Sequence, residues 1–139
     1  MAQMENTAAN MRPLIGALVK NLVAGESMTV GECVAMYTDG YVYRADANDG
    51  NLYKSVGILI ASRDGETTVE SGAGCSVVTL GPCSGWDELQ PGTFGYVSET
   101  TGEVDDTAPS GSAYVFSVGY ALSEDTFFVM PGFHPGTST

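Results

Sequence analysis

Val34-Ala35-Met36-Tyr37-Thr38-Asp39-Gly40-Tyr41-Val42-Tyr43 decides the fold class. Two short runs of β-forming residues flank Asp39-Gly40, a dipeptide that tolerates the positive φ angles a type I′ turn requires, and together they predict a hairpin. Downstream, Val56-Gly57-Ile58-Leu59-Ile60-Ala61 is a continuous apolar run of strand length, closed by the turn residues Ser62-Arg63-Asp64-Gly65. Further strand-like runs cover 67–70, 76–80, 94–97, 114–121 and 126–130, with Gly81-Pro82 and Gln90-Pro91-Gly92 as punctuation. Eighteen glycines at this spacing predict an all-β fold, a small barrel or sandwich of short antiparallel strands.

Upstream, residues 1–12 are polar and aperiodic and read as a flexible, extended N-terminal arm. Leu14 to Val23 fits either a short helix opened by Pro13 or a strand; Gly16, Val19 and Val23 favour the strand. The chain thus divides into residues 1–21 (arm with first strand or short helix), a β-domain over 22–131 and a C-terminal tail over 132–139. A shift of 62 positions carries Thr38, Gly40 and Val42 onto Thr100, Gly102 and Val104, and Ser55-Val56-Gly57 onto Ser117-Val118-Gly119. The β-domain therefore reads as two pseudo-repeats, about 22–80 and 84–131, neither with enough strands for its own core.

The chain has 139 residues, 43% hydrophobic, enough to bury a core. Five Lys and Arg against 17 Asp and Glu leave a net charge of −12. That argues against nucleic acid, whose affinity for proteins comes largely from Lys and Arg, and against anionic membrane surfaces. All five cations fall within the first 63 residues, which carry a net −1; residues 64–139 carry −11. No apolar run reaches the ~18 residues of a membrane span. The polar start lacks the basic n-region of a signal peptide. Cys33, Cys75 and Cys83, an odd and scattered set, fit reduced thiols rather than a disulfide framework.

Little in the sequence announces a reaction. His134 is the single histidine and lies in a Pro-Gly tail, where it reads as a solvated loop residue rather than a catalytic base. One His and three scattered Cys give no zinc-ligand spacing. The pairs Asp87-Glu88, Asp105-Asp106 and Glu124-Asp125 are adjacent residues that point apart in extended chain, not two carboxylates facing one cleft. Asp46-Ala47-Asn48-Asp49-Gly50-Asn51 resembles a calcium loop, but its Gly comes early and Gly57 stands where a bidentate Glu belongs. Gly72-Ala73-Gly74 lacks the Lys-Ser/Thr of a phosphate loop and reads as a tight bend. No catalytic, cofactor or metal residue is assigned.

The segments Val23-Ala24-Gly25-Glu26, Val34-Ala35-Met36-Tyr37, Asp39-Gly40-Tyr41-Val42-Tyr43-Arg44-Ala45-Asp46 and Ser55-Val56-Gly57-Ile58 resemble the capsid cement (head decoration) proteins of tailed bacteriophages. Gly85 to Ser98, Thr107-Ala108-Pro109-Ser110 and Val118 to Ser123 are similar to a β-module common in phage virion proteins, tail fibres included. The likeness spans about residues 22–131; it departs at Gly31-Glu32-Cys33, where the family more often has Asp after the glycine.

The resemblance implies a non-enzymatic virion structural protein without cofactor. It would be assembled in the host cytoplasm and sit on the outer capsid surface, reinforcing contacts between major capsid proteins, with a second copy of itself as a further candidate partner in a homo-oligomer such as a trimer. Arg12, Lys20, Arg44, Lys54 and Arg63 are then the capsid-contact candidates, with the acidic half facing solvent. A tail-fibre or adhesin module touching a host surface through Trp86 and Phe133 is the alternative.

Overall fold

The computed structural model describes residues 3–132. They form fourteen strands: β1 (Gln3–Asn6), β2 (Arg12–Pro13), β3 (Leu18–Val23), β4 (Met28–Thr29), β5 (Cys33–Met36), β6 (Val42–Arg44), β7 (Ser55–Ser62), β8 (Thr68–Val69), β9 (Gly74–Ser84), β10 (Trp86–Asp87), β11 (Phe94–Val97), β12 (Val104–Asp105), β13 (Ser117–Ala121) and β14 (Thr126–Val129). Among the described residues the helical content is one 3-10 turn, Ala8–Asn10. The all-β expectation holds. One curled, barrel-like antiparallel sheet takes in twelve strands, and β4 and β8 make a small second sheet.

Strand β9 organises the molecule. Its first half pairs with β3 on one side and β7 on the other, and the path continues through β5 to β6. Just past β3, Ala24 bridges to Val42 of β6 and the Gly25 N–H donates to the Val42 carbonyl (2.8 Å), so this half curls back on itself. The second half of β9 pairs with β14, followed by β13, β11, β12, β1 and β10. Only Gly85 separates β10 from β9 along the chain, and the Trp86 N–H donates to the Asp125 carbonyl (3.2 Å), so the end of this path turns back toward the start of β14. The shared core includes Val34, Ile58, Leu59, Val77, Val97 and Phe127, all with essentially no exposed surface.

The 62-residue repeat is a repeat of strands. β5, β6 and β7 correspond to β11, β12 and β13, and bulges lie at like places, between Val34 and Ala35 and between Gly95 and Tyr96. Ser55 and Ser117 are both buried. The Ser55 hydroxyl donates to the Val34 carbonyl (3.0 Å) and accepts the Gly57 N–H (3.1 Å), fixing the bulge from inside.

Four local expectations change. Residues 3–13 are extended, but they are not a free arm. β1 is inserted between β10 and β12, β2 lies on β9, and Met4 and Met11 are buried. The segment 14–23 is a strand only from Leu18, preceded by a turn in which the Ala17 N–H donates to the Leu14 carbonyl (3.0 Å). The Asp39-Gly40 hairpin is not type I′. Gly40 alone takes positive φ (89°), its N–H donates to the Tyr37 carbonyl, and the Asp39 carboxylate accepts the Tyr41 N–H. A three-residue loop ending in a left-handed glycine fits the strand twist equally well. Gly81-Pro82 bends β9 without ending it: Gly81 has φ 116° and Pro82 stays opposite Phe128.

Candidate contact surfaces

The five cations do not form one patch. Arg12 folds back, donating to the carbonyls of Ala9 (3.2 Å) and Met11 (2.8 Å). Arg44 on β6 is held by Glu26, whose carboxylate accepts the Arg44 backbone N–H (2.9 Å) and lies 3.5 Å from Nε. The Lys54 ammonium stands 5.7 Å from the centre of the Tyr53 ring, itself stacked on Tyr114 at 4.2 Å. Arg63 lies over Gly74, beside a cleft of about 380 Å³ that Asn21 and Val23 also line. Lys20 is exposed on β3, opposite Val77. Lys20 and Arg63 therefore flank the first half of β9, whereas Arg44 and Lys54 belong to the β5–β6–β7 side.

The fold also redistributes the acids. Asp64, Glu66 and Glu70 follow β7 and pack with the first half of the sheet through β8. Residues 14–80 then carry four cations and eight acids, net −4. Residues 3–13 and 81–132 carry Arg12 and nine acids, net −8. The sequence split of −1 and −11 softens, but the second half still presents carboxylates and no cation free of its own backbone.

The remaining candidates serve local structure. Asp46 and Asp49 each accept a backbone N–H two residues on, from Asn48 and Asn51, and Asp46 also accepts the Thr101 hydroxyl (3.1 Å). The loop thus uses its carboxylates to hold itself. Asp125 accepts hydroxyls from Thr126 and Ser123, which hold its carboxyl below the usual range. Among the described residues no three His, Cys, Asp or Glu are grouped to hold a metal, and no helix is long and apolar enough to cross a membrane. His134 and Phe133 lie outside the described residues. Trp86 is no surface aromatic: it is 3% exposed, tilted against Phe127 at 5.0 Å, and its indole N–H donates to Cys83 Sγ (3.5 Å).

Two features escaped sequence reasoning. Glu32 lies on a cleft of about 400 Å³ with Asn6, Gly102 and Glu103, where the halves meet. Burial pushes its carboxyl above the usual range despite the Thr29 N–H bond and the nearby Arg44. The second is apolar: Leu14, Ile15, Leu18, Val19 and Leu80 are exposed around the start of β3. The only hint was the ambiguity of Leu14–Val23, whose apolar residues favour neither face of a strand. Compared with known proteins, the chain matches no protein-family model and no curated protein.

Proposed function

We propose that the chain is a virion structural protein that binds the outer surface of a phage capsid and stabilises contacts between major capsid proteins. One observation carries this reading: four of the five cations fall, among eight acids, on the half of the sheet built from β3 and β5–β7, net −4, while the other half holds nine acids and Arg12, tied to its own carbonyls, net −8. The first half has exposed cations in Lys20, Lys54 and Arg63 and exposed side chains in Met36, Tyr37 and Tyr41 around the β5–β6 hairpin. Such a face suits a protein lattice, where aromatic and Met side chains supply contact area. The acidic half is suited to solvent, where like charge keeps particles apart.

The experiment adds purified chain to tail-less heads prepared without it. Saturation at a lattice-defined copy number, with greater resistance of the heads to heat, is the expected result. Heads that take up none of the chain, or that gain no resistance when saturated, would overturn the proposal.

A further inference from the structure

Strand β3 is poorly covered for an element of a soluble protein. One edge pairs with β9; among the described residues the other edge pairs with no strand, and the Ala24–Val42 bridge begins only past its last residue. Leu18 and Val19, which face opposite sides of the strand, are 53% and 39% exposed. Leu80, opposite Leu18, is exposed too, and Ile15 in the preceding turn is fully exposed. Soluble proteins usually blunt such an edge with charge, proline or a covering segment. Here Lys20 is the only charge on it.

The ribbon is also free of carboxylates. None occurs from Asn6 to Gly25 or from Ser71 to Trp86, although the chain holds 17. We infer that β3 pairs edge to edge with β3 of a second copy, forming a two-fold dimer. Two bodies of charge −12 repel one another, and this ribbon is the face on which they meet without opposing acids. An antiparallel self-pairing has its two-fold at a residue opposite its own copy; centred on Val19 or Asn21 it sets Lys20 opposite Leu18 or Leu22 of the second copy, so the ammonium groups need not face each other. The pairing satisfies the open backbone edge and covers Leu18, Val19 and Ile15, the mode of recognition by strand addition. It is independent of the capsid role, and either can fail while the other stands.

Sedimentation equilibrium of the full chain at about 50 mM and about 500 mM salt tests this. A monomer–dimer equilibrium is expected, tighter at high salt because screening weakens repulsion between the acidic bodies and leaves the apolar contact intact. Leu18→Glu and Lys20→Glu, tested singly, should each weaken association at least about tenfold, while Leu122→Glu, at an exposed position on the other half of the sheet, should not. Trp86 fluorescence verifies folding, and Lys20→Glu, at a solvated position, keeps the test alive should Leu18→Glu misfold. A chain monomeric at every concentration, an oligomer that survives both substitutions, or association that weakens with salt would each overturn the inference.

Discussion

Gly57 and Gly119, 62 positions apart, make the same close approach in the two halves of the sheet. A Cβ on Gly57 would overlap the carbonyl oxygen of Val78 on β9, and one on Gly119 would overlap that of Phe128 on β14. Their φ angles, 151° and 158°, lie where side chains are rarely found. Each glycine lets a central strand draw in against its neighbour, and each follows a buried serine by two residues.

Gly57→Ala and Gly119→Ala are therefore expected to cost about 3 kcal/mol or more each, combining backbone strain with overlap that no side-chain movement relieves. Gly40→Ala and Gly65→Ala, at positive φ but in open space, should cost only about 1–2 kcal/mol. Urea unfolding of the four variants measures the difference. Equal losses at all four positions would show that φ alone, and not the approach to the neighbouring strand, fixes these glycines.

The repeat was legible because it rests on residues whose backbone demands are strict: a Gly with a carbonyl against its Cα, and a Ser two positions before it. Strand existence was legible at β7, β11 and β14, where apolar runs end at turn residues. The placement of β1 was not. Gln3-Met4-Glu5-Asn6 carries one apolar side chain, so its pairing depends on a partner about a hundred residues away, Met4 opposite Val104. The continuation of β9 through Gly81-Pro82 was hidden for a related reason: a local breaker is tolerated when strands on both sides hold the bend. Contact surfaces were the least legible. Ion pairs such as Arg44 with Glu26, and the relocation of Asp64, Glu66 and Glu70, follow from topology rather than from neighbours in sequence.

The insertion of β1 makes a stability prediction. Met4 is 6% exposed, and its sulfur lies close to Gly95. Met4→Ala should lose about 2–5 kcal/mol, as for other buried Met truncations. Removing residues 1–12 should do more, since it strips β12 and β10 of a shared neighbour. Thermal melts by circular dichroism check both. A truncated chain that melts like the full one would return the segment to the role of a dispensable arm.

The cysteines offer a test of burial. Burial pushes the Cys33 thiol up to about 12, against the Ser55 hydrogen bond, and Cys83 up to about 11. Cys75 is raised by the same cause. Since the thiolate is the reactive form, all three should be inert to a disulfide reagent in the native protein at neutral pH. In denaturant, three equivalents should react at once. Fast native reaction of one thiol would identify local opening, first expected at Cys75 beside the exposed β3 ribbon.

Stability should depend on pH through Glu32. Its Oε1 accepts the Thr29 N–H at 2.8 Å, but burial is the larger influence and Glu26 and Glu103 add repulsion, so the folded state holds the proton more tightly than the unfolded chain. Glu103 is raised as well, first by burial and then by Asp105 and Glu5. A carboxyl raised on folding subtracts stability once ionised, and that loss is relieved as pH falls through its folded value toward the ordinary carboxyl range. Asp39, Asp64 and Asp125 act oppositely: hydrogen bonds from Tyr43, Ser62 and Thr126 respectively are the largest causes holding them below the usual range, so their stabilisation is lost on further acidification. Being exposed, they contribute less. Urea midpoints should therefore be higher near pH ~5 than near pH ~7.5 and fall again below pH ~4. Glu32→Gln, which keeps an acceptor for Thr29, should raise the midpoint at pH ~7.5 and flatten the rise toward pH ~5. A variant less stable than wild type at pH ~7.5 would mean that attraction to Arg44 outweighs burial and that ionised Glu32 stabilises the junction between the halves.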